Sequence, residues 1–298
     1  SIPNLMDGNK ISTRKILFAA FKRNLVKEVK VAQFAGYVSE HSCYHHGEQS
    51  LVGAIIGSAQ EFVGSNNINP LLPKGQFGTR LKGGKDHASE RYIFTHLTPI
   101  TKYIYSPNDN PILNYLDDDG TPVEPEWYAP ILPMVCVNGG KGIGTGFSCD
   151  IPSYNPIHII NYLKYKIHQP TTARPDIDVY CEGFKGTIQK IQKQKYLFKW
   201  CYEIIGTDQI RVTELPVGIW TEDYKAFLES LIEDKSKKGK GKILVKSYTD
   251  MSTDTEVDFN IKLVSGTINR LLPKTSDYGC NLLEKTSTTL GSLLSPTI

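Results

Sequence analysis

Residues 74–95 gather the side chains best suited to chemistry on a charged polymer. The run Lys74-Gly75-Gln76-Phe77-Gly78-Thr79-Arg80-Leu81-Lys82-Gly83-Gly84-Lys85 sets four basic side chains among glycines, and Arg91-Tyr92 follows closely. A tyrosine hydroxyl beside a guanidinium is a plausible nucleophile for a phosphodiester. The spacing predicts a helix beginning near Ser89, with Arg91 and Tyr92 in its first turn. Helix N-termini attract phosphate, because unpaired backbone N–H groups and the helix dipole both favour an anion. A solvated basic loop followed by an ordinary half-buried tyrosine fits the same residues, and this segment alone leaves both readings open.

Elements on either side must position that pair. Upstream, the pattern predicts helices over residues 14–23, 30–39 and 51–62; in the second, Val31, Phe34, Ala35 and Val38 recur at i, i+3, i+4 and i+7. Three short helices followed by a glycine-rich basic loop describe a helix-turn-helix with an appended wing, a unit that lays one helix in the DNA major groove. Downstream, the predicted helix runs through Leu97, Ile100 and Ile104 and breaks at Ser106-Pro107. Asp117-Asp118-Asp119-Gly120 reads as a hairpin turn rather than a metal loop, since it lacks calcium-ligand spacing. Residues 131–137 suit a buried strand.

The loop Asn138-Gly139-Gly140-Lys141-Gly142-Ile143-Gly144-Thr145-Gly146-Phe147 invites a nucleotide-binding reading, but both phosphate fingerprints fail. Phe147 stands where a third glycine is needed, and Gly142 follows Lys141 where a Walker loop needs Ser or Thr. What remains is a loop presenting one apolar side chain, Ile143, and apolar wedges can unstack a base step and kink a duplex. Beyond Tyr154 the texture changes. A helix over 157–167 precedes strand-like runs at 186–191, 202–205, 209–214, 242–248 and 257–263, with one helix at 221–232. Residues 235–242 form a lysine-rich run, read as a charged loop or a phosphate contact.

Composition sets outer limits. The 298 residues carry a net charge of only +3, so any nucleic-acid surface must be local. Six scattered cysteines without a C-x-x-C pair argue against a zinc site or a disulfide scaffold. There is no membrane-spanning apolar run and no signal peptide is apparent. The abrupt start and stop suggest a fragment of a longer protein.

Several segments, in this order, resemble the DNA breakage–reunion region of eukaryotic-type type IIA DNA topoisomerases. They are Tyr44-His45-His46-Gly47-Glu48, Gly64-Ser65-Asn66-Asn67, Gln76-Phe77-Gly78-Thr79-Arg80, Gly83-Gly84-Lys85-Asp86, Arg91-Tyr92-Ile93-Phe94-Thr95, Pro125-Glu126-Trp127-Tyr128 and Gly142-Ile143-Gly144-Thr145-Gly146. The resemblance implies an α+β fold, with a winged-helix domain over 1–135 that carries the catalytic tyrosine and an α/β tower domain over 136–298. It implies that Tyr92 attacks a DNA phosphate and becomes linked to the 5′ end, with Arg91, Arg14 and His46 as catalytic neighbours. Lys10, Asp7, His45, Lys74, Gln76, Arg80, Lys82, Lys85 and Lys141 are expected at the DNA surface, and Ile143 as the intercalating wedge.

A free phenol titrates near pH 10, so such a nucleophile needs a cation, a base or a metal field. The resemblance implies Mg2+ and ATP, each held by a domain outside this chain, so no metal ligand is assigned here. It also implies double-stranded DNA as partner, a homodimer in the full-length protein, and a nuclear location, or a viral replication site or the cytoplasm if the source is viral. Departures from the family pattern are Glu90 before Arg91-Tyr92, Ile11 after Lys10, and Phe147 after Gly146; they mark a diverged member. The competing readings are a non-catalytic DNA-bending module and, with failed fingerprints against it, a nucleotide-dependent enzyme.

Overall fold

The computed structural model describes residues 2–168, 177–192, 195–232 and 245–268. Two compact units emerge. One comprises Ser1–Gly78 and Asp86–Glu182; the other comprises Thr79–Lys85 and Gly183–Pro296. The first therefore extends past residue 135. The lysine-rich run 235–242 lies outside the described residues.

In the first unit, α1 (Ile11–Lys22), β1 (Val29–Lys30), α2 (Val31–His41), α3 (Glu48–Ala59), β2 (Leu71–Lys74) and β3 (Phe94–Leu97) follow in order. The strands form an antiparallel sheet in the order β1-β3-β2, with Val29 opposite Thr95 and Leu71 opposite Leu97. The predicted face of α2 is the face that is buried: Val31, Phe34, Ala35 and Val38 pack with Ile16, Leu51, Ile55, Leu71 and Ile93. Burying each of the larger side chains contributes about 1.5–3 kcal/mol.

The helix expected from Ser89 does not form. Residues 89–92 make a turn, β3 follows, and only Pro99–Ile104 is helical (α4). The apolar spacing of Ile93, Leu97 and Ile104 mimics a helix, but the buried set is Ile93, Thr95 and Leu97, a period of two. Thr95 hides the alternation because it is polar; its hydroxyl is satisfied by donating to the Leu72 carbonyl at 2.9 Å.

After α4, β4 (Tyr115–Asp118) and β5 (Thr121–Pro125) form the expected hairpin. Asp119 and Gly120 both take left-handed angles, φ 50° and 82°, as a tight hairpin turn demands. The expected strand at 131–137 is instead a short helix, α5 (Met134–Val137), whose Met134 and Val137 join a cluster with Leu17, Ile104, Tyr105 and Tyr128. Next come β6 (Gly140–Ile143), β7 (Ser148–Ile151) and α6 (Pro156–His168).

Asparagines bind these later elements into the first unit. Asn67 donates to the Val137 carbonyl at 2.9 Å and accepts from the Glu182 backbone N–H at 2.8 Å. Asn138 and Ile68 exchange two bonds, at 2.8 and 2.9 Å.

The second unit contains the hairpin β8 (Thr187–Gln192) and β9 (Lys195–Lys199), of which β9 was not anticipated. It also contains an antiparallel sheet of β10 (Cys201–Gly206), β11 (Gln209–Glu214), β12 (Val245–Asp250) and β13 (Phe259–Leu263), in the order β10-β11-β13-β12, with α7 (Thr221–Ile232) between β11 and β12 in sequence. Tyr224 and Leu228 of α7 pack with Val212, Phe259 and Ile261.

The Thr79–Lys85 loop is built into this unit. The Thr221 and Glu222 N–H groups donate to the carbonyls of Arg80 and Leu81 at 3.3 and 3.1 Å. Gly83 has φ 61°, and a side chain there would overlap the Trp220 indole. Gly83→Ala is therefore expected to destabilise the second unit by about 1–3 kcal/mol, from backbone strain and overpacking together. Urea denaturation checks this, and an unchanged midpoint contradicts it.

Candidate DNA-cleavage site

Backbone hydrogen bonds fix the Arg91-Tyr92 turn. The Tyr92 N–H donates to the Ser89 carbonyl at 2.9 Å, and the carbonyls of Glu90 and Ile93 accept from the Ala32 and Val31 N–H groups, each at 3.0 Å. Those two donors belong to the first turn of α2, which has no side-chain cap. The turn thus satisfies the helix start, and the helix start holds the turn. The side chains are left outside: Tyr92 is 76% exposed, and among the described residues its hydroxyl forms no hydrogen bond. Arg91 is exposed and likewise makes no ion pair among the described residues.

Other tyrosines of the first unit contrast sharply. Burial pushes the Tyr105 phenol well above the ordinary tyrosine range, with nearby Asn9 opposing the shift. Burial does the same to Tyr128, reinforced by Tyr115 and Glu124. Neither is available as a nucleophile.

His46 lies in the turn between α2 and α3 and is exposed, with its ring edge-on to buried Tyr44 at 5.4 Å. Arg14 is held in an internal ion pair. It is 5% exposed, and its Nε and Nη2 donate to the two Asp7 carboxylate oxygens at 2.7 and 3.0 Å. Asp7 is fully buried and also accepts from the backbone N–H groups of Asn9 at 2.9 Å and Tyr128 at 3.0 Å. Both charges are paired inside the protein, with Asp7 the buried partner of Arg14.

Lys10 is exposed and immediately precedes α1. With Ser12 and Thr13 of the first helical turn it lines an open cleft of about 410 Å³, whose other walls include Gly57 and Ser58 of α3, Asn66, and residues 138–141 with Lys141. A helix N-terminus does face a candidate anion site, then, but it belongs to α1. Ser12 and Thr13 are not marked as site residues by the sequence motifs; Ser-Thr at the start of a helical pattern is the available signal.

A family model described as the DNA gyrase/topoisomerase IV A subunit matches residues 1–290. The chain belongs to this family. It is 49% identical over 267 residues to DNA topoisomerase 2 of Arabidopsis thaliana, covering 88% of this chain and 18% of that protein. It is 45% identical over 271 residues to the mitochondrial DNA topoisomerase 2 of Dictyostelium discoideum, covering 91% of this chain and 20% of the relative. A crystal structure of the Plasmodium falciparum topoisomerase II DNA-binding, cleavage and re-ligation domain superposes with a TM-score of 0.87 at 42% identity, covering all of this chain and 38% of the other. The chain thus spans about a fifth of the length of these curated relatives.

Within this gyrase and topoisomerase member, the Gly139–Gly146 stretch is not the strand-loop-helix of a nucleotide site but the β6–β7 hairpin. Its tip is closed by the Gly144 N–H donating to the Phe147 carbonyl at 2.8 Å, and it projects Ile143, 78% exposed, and exposed Phe147. Lys141 on β6 is exposed but paired with Asp150 across the hairpin at 2.9 Å.

Of the remaining expected DNA contacts, Lys74 is exposed and 3.6 Å from Glu28, and His45 is paired with Asp118 at 3.0 Å. Gln76 is exposed and folds its side-chain oxygen back to the Gly78 N–H at 2.9 Å. Lys82 and Lys85, in the second unit, are exposed.

Arg80 is paired internally in the second unit. It is 6% exposed and bonded to the fully buried Glu214, which also accepts from the Lys185 backbone N–H at 3.1 Å. Among the described residues, no group of three or more His, Cys, Asp or Glu is arranged to hold a metal ion.

Removing one member of a buried pair strands the other. Asp7→Ala is expected to lower stability by about 3–5 kcal/mol in chemical denaturation, because Arg14 is left buried and unpaired. A loss under about 1 kcal/mol contradicts the anchoring role.

Proposed function

We propose that this chain is the DNA-binding and cleavage core of a type II DNA topoisomerase, with Tyr92 as the nucleophile. The observation that carries the reading is the exposed, unbonded Tyr92 hydroxyl beside Arg91 on a rigid turn, in a member of this family. The Tyr92 oxygen attacks a backbone phosphorus and breaks the P–O3′ bond. The tyrosine proton leaves to solvent or a base, and the 3′ oxygen departs as a hydroxyl. The phosphotyrosyl bond to the 5′ end conserves the phosphodiester, so the 3′ hydroxyl reseals the strand by the reverse step.

Arg91 and His46 supply charge and hydrogen bonds to the non-bridging oxygens, where phosphoryl transfer gains most. Lys10, Lys141 and the α1 N-terminus follow the backbone along the cleft, with Lys74, Lys82 and Lys85 as further phosphate contacts. Ile143 wedges between base pairs.

The α1-β1-α2-α3-β2-β3 order with sheet order β1-β3-β2 supports reading the Tyr92-bearing part as a winged helix, and the β10–β13 sheet supports reading the second unit as part of a tower domain. Mg2+ and ATP are expected to act through segments supplied elsewhere in a longer protein, where the metal would stabilise the leaving oxygen. That protein passes one duplex through another as a homodimer. The nucleus is its expected location, although one similar protein is mitochondrial. Among the described residues, no helix is long and apolar enough to cross a membrane.

The exposed hairpin tip also favours a second reading, a module that bends DNA without cutting. One experiment separates the two. The longer protein, incubated with supercoiled DNA and magnesium, is expected to form a covalent protein–DNA adduct. Tyr92→Phe abolishes it while binding stays within about threefold. An adduct surviving in Tyr92→Phe removes Tyr92 as nucleophile, and no adduct in the parent protein leaves only the bending module.

For the wedge, Ile143→Ala is expected to reduce the DNA bend angle measured by energy transfer. Bending a site of this kind costs roughly 1–6 kcal/mol, so lost intercalation registers. An unchanged angle rejects the wedge.

A further inference from the structure

We propose that Lys15 and Glu124 are positioning residues for His46, and that they act by fixing the turn between α2 and α3. The inference rests on the reading of His46 as a phosphate contact. Lys15 lies on α1 and Glu124 on β5. Their charges meet at 2.7 Å, and both side chains are largely buried. The Lys15 ammonium also donates to the Ser42 carbonyl oxygen, at the residue that ends α2. Ser42 is itself fixed, since its hydroxyl donates to the Val38 carbonyl at 2.6 Å. Cys43 then takes a left-handed φ of 49°, which turns the chain, and Tyr44 buries its ring in the core. His46 stands against that ring. A single ammonium therefore holds the carbonyl from which the short path to the imidazole starts.

The chemistry of the pair argues for placement rather than bulk stability. Buried ion pairs stabilise a fold no better than apolar side chains of similar volume. What an apolar side chain lacks is a directional donor for the carbonyl at a helix end, where an unmet acceptor is otherwise costly. Lys15 is that donor, and Glu124 neutralises it. The same hairpin reaches the turn a second time through Asp118 and His45, 3.0 Å apart. That contact is more exposed and contributes less. The turn is thus held from α1 and from the β4–β5 hairpin, and no element of that brace includes Tyr92 or Arg91.

The experiment is a double-mutant cycle in the longer, cleavage-competent protein, with adduct formation followed in a single turnover and DNA affinity measured separately. Lys15→Met combined with Glu124→Gln removes both charges, so neither is left buried alone. This pair variant is expected to slow adduct formation by about 100-fold, the scale of a misplaced catalytic group, while the DNA Kd moves by less than about twofold. In a His46→Ala background the same pair variant is expected to add no further slowing, because the brace acts only through His46.

Multiplicative slowing of the two changes, or a folded pair variant that cleaves at the parental rate, overturns the proposal. If His46→Ala alone cleaves at the parental rate, the phosphate role of His46 falls and the brace with it. If His46→Ala is slow and the pair variant is not, only the brace falls. Should the pair variant fail to fold by circular dichroism, Lys15→Gln combined with Glu124→Gln, which also leaves no lone buried charge, carries the same cycle, with the same non-additivity expected and simple additivity overturning it.

Discussion

The first unit depends on one buried carboxylate. Asp7 accepts four hydrogen bonds, two from Arg14 and one each from the backbone N–H groups of Asn9 and Tyr128. That fills the capacity of a carboxylate, which is the condition for burying a charge without prohibitive loss. The three donors come from the N-terminal loop, from α1 and from the segment after the β4–β5 hairpin. One side chain therefore sets where three distant stretches meet. The cleft bordered by Lys10 and Lys141 is lined by Asp7 and Asn9 as well, so its shape follows from the same network.

Tyr92, the proposed nucleophile, is placed by a different device. Tyr92 has no side-chain partner among the described residues. Its position follows from main-chain bonds between its turn and the first turn of α2, and from the burial of Ile93 next to it. Backbone anchoring suits the role proposed for Tyr92, because the side chain stays free while its origin stays fixed. Pre-organisation of this kind lowers the entropic cost of reaching an attack geometry. His46 shows the same logic, with a buried brace behind an exposed ring.

In the second unit, the buried Arg80–Glu214 pair anchors the Thr79–Lys85 loop, while Lys82 and Lys85 on that loop keep access to solvent. Division of labour among basic residues is thus a recurring feature. In each unit one arginine is spent on internal structure and nearby lysines stay at the surface. Arginine suits the internal task because its planar fork matches a carboxylate.

Much of this was legible in the sequence. The face of α2, the Asp119-Gly120 turn and the strands at 209–214 and 257–263 follow from local periodicity and turn chemistry, which depend on near neighbours only. The ordered motifs identified the family, and with it the tyrosine worth asking about. Tertiary structure decided the rest. Sequence does not show that Arg14 and Arg80 are buried, because an arginine is buried only when a carboxylate elsewhere in the chain arrives to pair with it. Nor does it tell that Tyr92 precedes a strand rather than starting a helix. The spacing of Ile93 and Leu97 satisfies both periods, and the choice falls to β1 and β2, which supply the partners for β3.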